Sequence, residues 1–317
     1  MTVGIGDVTA AQERIAAQIQ RTPLVSSRSL GDRIGAGAWL KLESLQRTGS
    51  FKARGAVNAV ALLTPAERAA GVVTMSAGNA ALAIAYAAAA AGVPATVAMP
   101  EGASAMKIAA TRAYGAQIRF GAAVTALMPI VRALQDEGRY FLHPFDDEGM
   151  IAGFGTAALE ILEDLPDADL FIVPVGGGGL ISGIATVVAA RRPGARVIGV
   201  EPVGAPGMRR ALDAGAVVTL DTVDTIAEGL APPFAGAHTL EIVQRLVSDV
   251  VTIPDEAIRE GLRFLFERAR VVAEASGAAA VGALLSGAVR PRPGERCVAI
   301  VSGGNVDLDR YRELLSR

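Results

Sequence analysis

Short apolar and β-branched runs alternate with longer helical patterns along almost the whole chain. Residues 72–75, 95–99, 117–120, 170–175, 196–200 and 297–301 predict strands, and the alternating run Ala38-Trp39-Leu40-Lys41-Leu42-Glu43 predicts one more. Residues 51–63, 79–91, 104–114, 123–136, 156–163 and 180–191 predict helices, the first with Ser50 as its N-cap. This alternation is that of parallel sheets with helices on both faces, an α/β fold. In such sheets ligands sit beyond the carboxyl ends of the strands. Three strand-to-helix junctions are therefore candidates: Ser76-Ala77-Gly78-Asn79, Gly176-Gly177-Gly178-Gly179-Leu180 and Ser302-Gly303-Gly304-Asn305.

Composition narrows the partners. The 317 residues accommodate one large or two medium domains. A formal net charge of -2 and 4% aromatic residues, with no basic stretch, speak against nucleic acid. The most apolar segment, residues 80–98, is broken by Gly92 and Pro94; about a dozen helical residues remain where a membrane span needs about 20, so no membrane insertion is expected. No basic segment followed by an apolar core opens the chain, so a cytoplasmic protein is expected. The single cysteine, Cys297, excludes an intrachain disulfide and reads as a core residue. With only two histidines, His143 and His238, no metal cluster is visible.

Of the 30 Lys+Arg, only Lys41, Lys52 and Lys107 are lysine. Guanidinium stays protonated, so lysine alone can become a neutral amine that attacks a carbonyl. Lys52 stands in Thr48-Gly49-Ser50-Phe51-Lys52-Ala53-Arg54-Gly55-Ala56, in the first turn of a predicted helix, where the helix dipole and burial beside Phe51 both disfavour an ammonium. Two local readings stay open: a nucleophile that forms a Schiff base, or a solvated surface charge.

Four consecutive glycines between an apolar strand and a helix offer backbone N–H groups at the positive end of the helix dipole. They form a phosphate cradle, or only a tight crossover. They match neither GxGxxG nor a nucleotide P-loop. The Ser76 to Asn79 junction offers donors for a carboxylate or a phenolate-like oxygen, or Asn79 simply caps its helix. A phosphorylated aldehyde needs an amine and a donor nest together, and pyridoxal 5'-phosphate fits that pair.

These residues, with Lys41-Leu42-Glu43, His143-Pro144-Phe145-Asp146, Ile151-Ala152-Gly153, Gly199-Val200-Glu201-Pro202, residues 225–229, 274–279 and 302–307, carry a resemblance. Over essentially its whole length the chain resembles the fold-type II pyridoxal-phosphate enzymes, in particular the threonine dehydratase and serine racemase family. The resemblance implies two parallel-sheet α/β domains of the tryptophan synthase β-like kind: a large cofactor-binding domain from residues 1–66 and 140–317, and a small inserted domain, 67–139, that closes like a lid. It implies Lys52 as the Schiff-base lysine and catalytic base, Phe51 beside the cofactor ring and Asn79 on its 3'-oxygen. Gly176, Gly177, Gly178, Gly179 and Leu180 would hold the phosphate, Gly229 and Glu274 would flank the cofactor, and Ser302 would meet the pyridine nitrogen. Ser76, Ala77, Gly78, Asn79, Ala80 and Phe154 would meet the substrate. The implied reaction is α,β-elimination from a threonine- or serine-like β-hydroxy-α-amino acid, with the cofactor phosphate as proton donor, giving a 2-oxo acid and ammonia. A homodimer is also implied.

A hydroxyl at Ser302 cannot stabilise a full pyridinium as a carboxylate would, which favours prompt loss of a β-leaving group. Ala53 follows the lysine where relatives that perform β-replacement carry an aspartate. Ala77 stands where racemases of the family carry a second proton carrier. Ala80-Ala81-Leu82 and Gly153-Phe154-Gly155 replace more polar family runs, which implies either a pocket for a bulkier, more apolar substrate or mutual packing of Leu82 and Phe154. Glu201 and Ala205 match a cation site of some relatives, but Gly207 has no ligating side chain, so no metal is expected. No C-terminal regulatory domain is expected after the Ser302 motif. Amino-acid racemase and non-catalytic cofactor- or metabolite-binding protein remain the competing readings.

Overall fold

The computed structural model describes residues 3–123 and 126–316. In chain order its strands are β1 (Leu24–Ser26), β2 (Gly37–Leu42), β3 (Val72–Met75), β4 (Ala95–Pro100), β5 (Gln117–Gly121), β6 (Tyr140–Phe141), β7 (Leu170–Pro174), β8 (Arg196–Pro202), β9 (Asp249–Ile253) and β10 (Arg296–Val301). Six form one sheet in the order β1-β2-β10-β7-β8-β9, and four form a second in the order β5-β4-β3-β6. β1 runs antiparallel to β2; the other pairings are parallel. Helices cover both faces, as the strand–helix alternation predicts.

Period-two alternation sorts the core. On β7, Phe171 and Val173 enter one apolar cluster while Leu170 and Ile172 enter the other. On β10, Val298 and Ile300 face the first cluster, and Cys297, Ala299 and Val301 the second. The first cluster continues into the smaller sheet through Val72, Val97 and Met99. The sheets thus share packing, and the carboxyl ends of β3, β7 and β10 lead into the three candidate junctions.

Several sequence expectations need correction. The helix expected at 156–163 runs Glu148–Asp164 and contains Gly149, Gly153 and Gly155, which read as breakers in sequence. They are there because neighbouring backbones come close: a Cβ on Gly153 would fall on the Arg54 carbonyl, and one on Gly155 would lie 2.8 Å from the Gly183 carbonyl. Ser50 is not an N-cap. The helix begins at Lys52 after Phe51, and Ser50 instead forms a bridge with Gly303. Nor does Asn79 cap its helix; Gly78 does, leaving the Asn79 side chain free for other partners. Of the helix expected at 123–136, residues 124 and 125 lie outside the described residues, and the helix runs Leu127–Asp136. The strand expected at 38–43 is β2, and Lys41 within it and Glu43 just after it are both buried.

Candidate functional site

Phe51 and Lys52 are held from two sides. The Phe51 N–H donates to the Ser302 carbonyl at 3.1 Å, and the Gly304 N–H donates to the Gly49 carbonyl at 2.9 Å, so the loop before Lys52 is zipped to the loop after β10. Thr48, at φ 61°, is a β-branched residue in the left-handed region, a conformation that persists only under outside constraint. Asn305 provides it, donating from Nδ2 to the Thr48 carbonyl at 2.7 Å.

Lys52 Nζ donates to the Pro144 carbonyl at 2.8 Å and lies 4.9 and 5.1 Å from the ring centres of Phe51 and Phe154. The two rings meet edge to face, 4.8 Å apart. Burial in this apolar cage lowers the amine from its ordinary 10.5 to about 7. Beside it His143 is pushed down to about 4, chiefly by burial and further by the Lys52 charge. Its Nδ1 accepts from the Asp146 N–H at 3.0 Å, the structural role of an unprotonated ring nitrogen.

The glycine loop needs its glycines. Gly178 has φ 96°, and a Cβ there would crowd Met208 and Thr239; a Cβ on Gly177 would overlap the Phe145 ring. Asp146 accepts from the Ala237 and Thr239 N–H groups at 3.0 Å each, and Thr239 Oγ1 donates to the Gly177 carbonyl at 2.7 Å, fixing the loop from behind. The helix Gly179–Arg191 starts directly after it. Its first-turn N–H groups have no intrahelical acceptor and stand at the positive end of the dipole.

Asn79 opens the helix Asn79–Ala91. Its Nδ2 donates to Glu274 Oε1 at 2.6 Å, and its Oδ1 accepts from Asn305 Nδ2 at 2.8 Å. Burial raises the Glu274 carboxyl to about 7, against the opposing effects of the Asn79 hydrogen bond and Lys107. The Gly229 N–H donates to Ser276 Oγ at 2.8 Å, and among the described residues the buried Ser302 hydroxyl reaches only the Ser276 carbonyl, at 3.5 Å. Ser50 Oγ is buried without a partner among the described residues. Ser76, Ala77 and Gly78 form the half-buried turn before Asn79, with Ser76 Oγ accepting from the Gly78 N–H at 3.1 Å. Ala80 is buried in the first turn beyond it.

Two candidates take positions that sequence did not foresee. Phe154 meets Phe51 edge to face and packs on Gly55 and Gly179. Glu201 turns both oxygens onto the Met208 and Arg209 N–H groups, at 2.7 and 2.8 Å, and serves as the cap of the helix Gly207–Ala214. Sequence reading missed Asn305 as the partner of Asn79, and Asp146 with Thr239 as the support of the glycine loop. His143-Pro144-Phe145-Asp146 was the available signal for the last.

A part-buried amine of lowered pKa, a glycine-only loop at a helix start and a weakly bonded buried hydroxyl suit a phosphorylated aldehyde with a ring nitrogen. The residues fit pyridoxal phosphate. The family described as "Pyridoxal-phosphate dependent enzyme" matches residues 15–303. The catabolic L-threonine dehydratase of Escherichia coli (strain K12) is 41% identical over 320 residues, covering 99% of this chain and 96% of that protein. The L-threo-3-hydroxyaspartate ammonia-lyase of Saccharomyces cerevisiae is 41% identical over 314 residues, covering 98% and 96%. Among solved structures, maize serine racemase superposes with a TM-score of 0.94 at 37% identity, covering 99% of this chain and 97% of that one.

Proposed function

Because the chain belongs to the pyridoxal-phosphate dependent enzyme family, we propose that it is an ammonia-lyase that converts a β-hydroxy-α-amino acid of the threonine or serine kind into a 2-oxo acid and ammonia. Pyridoxal phosphate is its cofactor. The observation that carries the reading is the Lys52 amine, caged by Phe51 and Phe154 and brought to about 7 by burial. Such an amine is neutral in a large fraction of molecules near neutrality, able both to attack an aldehyde and to act as a base.

When bound, the cofactor supplies an aldehyde that condenses with amines and a ring that withdraws electrons from Cα. Lys52 would hold it through its amine, and the same Nζ would take the Cα proton of the substrate. The N–H groups of Gly176 to Leu180 would bind the cofactor's phosphate oxygens. Asn79, fixed between Glu274 and Asn305, orients the ring through its amide. Ser302 would offer a neutral hydroxyl to the ring nitrogen. Gly229 and Glu274 would border the ring, and the turn Ser76 to Ala80 would receive the substrate carboxylate. Loss of the β-hydroxyl as water leaves an enamine, which takes up water on release and yields the oxo acid and ammonia. Ala77 carries no exchangeable proton, which favours elimination over racemisation.

Residues 67–139 act as an inserted unit that closes over the substrate, a reading supported by the separate four-stranded sheet, three of whose strands lie within it while β6 follows directly after, and by the Lys107–Glu228 ion pair at 2.8 Å. The enzyme works as a homodimer in the cytoplasm. No helix among the described residues is long and apolar enough to cross a membrane.

The test is 2-oxo acid and ammonia release from L-threonine, L-serine, 3-hydroxyaspartate and phenylserine. Turnover of one member is expected. Cofactor binding with no product from any, together with inverted substrate on chiral analysis, would replace the lyase reading with racemisation.

A further inference from the structure

Directly behind Lys52 lies a group of charges that the proposed chemistry does not use. Lys41, Glu43 and Arg54 are each 0% exposed, and Glu160 is 5% exposed. Arg54 forks twice: Nε and Nη2 donate to the two oxygens of Glu43, each at 2.8 Å, while Nη1 and Nη2 donate to those of Glu160 at 2.6 and 2.8 Å. Lys41 Nζ donates to Glu160 Oε2 at 2.6 Å and to the Thr22 carbonyl at 2.8 Å. Thr22 Oγ1 donates to Glu43 Oε1 at 2.5 Å, and Arg54 Nη1 reaches Thr156 Oγ1 at 3.2 Å. Although burial opposes it, Arg54, and after it Lys41, hold the Glu43 carboxyl below its ordinary range.

Exchanging buried ion pairs for apolar residues is often neutral or stabilising, so stability alone explains this quartet poorly. Its geometry explains it better. Lys52 and Arg54 are two residues apart in one helix, about 200° around the axis, so they point to opposite sides. The helix Glu148–Asp164 grips both sides, with Glu160 on Arg54 and Phe154 beside Lys52. Between them the backbones touch, because a Cβ on Gly55 would overlap Phe154 and one on Gly153 would overlap the Arg54 carbonyl. With sliding blocked at the glycines, rotation about the helix axis is the freedom left, and a doubly forked guanidinium removes it.

We infer that Arg54, clamped by Glu43 and Glu160, is a positioning residue that fixes the rotation of the first turn of the Lys52 helix and thereby the direction in which Lys52 presents its amine. The inference rests on Lys52 being the reacting amine.

The experiment compares holoenzyme of the parent, Arg54→Lys and Thr156→Val. Lysine keeps one positive charge but cannot fork two carboxylates. Each protein is tested for kcat and KM, for visible circular dichroism of the bound cofactor, and for Lys52 labelling by borohydride, located by peptide mass. The expected result for Arg54→Lys is a fall in kcat of about a hundredfold, the scale associated with a misplacement of about 1 Å, with KM little changed and the dichroic band altered. Thr156→Val, which loses one hydrogen bond to Arg54, should shift the same two readings in the same direction by less. Parent-like kcat and dichroism in both variants, with only a lower thermal midpoint, would overturn the inference and leave the quartet a structural feature. If Arg54→Lys does not accumulate as folded protein, Thr156→Val decides on the same readings. Absence of borohydride label on Lys52 in the parent would instead overturn the functional reading beneath it.

Discussion

Asn79 Nδ2 and Glu274 Oε1 are 2.6 Å apart, joining the first turn of the Asn79–Ala91 helix to the residue that precedes the Ala275–Leu285 helix. Burial raises the Glu274 carboxyl to about 7, so the fold prefers it protonated. The sign follows: a folded pKa above the unfolded one contributes stability fully below the unfolded value, lost as pH rises through about 7. Glu274→Gln removes the titration. Between pH 5.5 and pH 8.5 the parent should therefore lose stability relative to Glu274→Gln, on the order of 2 kcal/mol. Thermal unfolding at both pH values reads this, and a constant difference between the two proteins would discard it.

The Lys52 amine has the opposite sense. Its lowered value makes the neutral form dominant above pH 7, so the rate at which cofactor-free protein captures pyridoxal phosphate should climb through about pH 7 and then level off. Stopped-flow growth of the visible band measures it. A midpoint near that of a free lysine would show that the amine is solvated. Lys52→Ala should lose both the band and turnover.

Gly178→Ala tests the loop. At φ 96°, with Met208 and Thr239 in the Cβ direction, alanine must distort the turn. Cofactor affinity is expected to fall by about tenfold or more, from roughly 1 to 2 kcal/mol of strain. Equilibrium titration of the cofactor-free protein reads the effect, and parent-like affinity would show that the loop does not hold the phosphate.

Ala77→Ser supplies a hydroxyl at a half-buried position of the turn before Asn79. The ratio of racemisation to elimination with L-serine should rise by about tenfold or more, within the range a positioned proton carrier contributes. Chiral chromatography of recovered serine gives the ratio. An unchanged ratio would mean that the missing hydroxyl is not what limits racemisation.

Local pattern made the site's junctions readable, because each follows a strand of plain apolar character and opens a helix. Lys52 and the glycine run each left two local readings open, and only their combination pointed to a phosphorylated aldehyde. What stayed hidden was what depends on distant partners. Gly153 and Gly155 look like helix breakers until Gly55 and Gly183 are seen against them, and the alternation around β2 suggests a solvated face until Arg54 and Glu160 arrive from two helices to cover Lys41 and Glu43. Ser50 looks like an N-cap for the same reason, although its main chain bridges to Gly303, more than two hundred residues away in sequence. Periodicity reports how one segment divides its own faces, and carries no record of which segment meets them.

The shortage of lysine has a practical side. Lys41 is sealed in the core and Lys52 is committed to the site, while Lys107, on the Ala105–Ala113 helix, keeps 21% of its side chain open beside Glu228. Apart from whatever amine begins the chain, an amine-directed dye added to the holoenzyme meets one side chain on the outside. That side chain spans the gap between the four-stranded sheet's helices and the turn next to Gly229. A label there would read opening and closing of that gap in single molecules without any engineered attachment point.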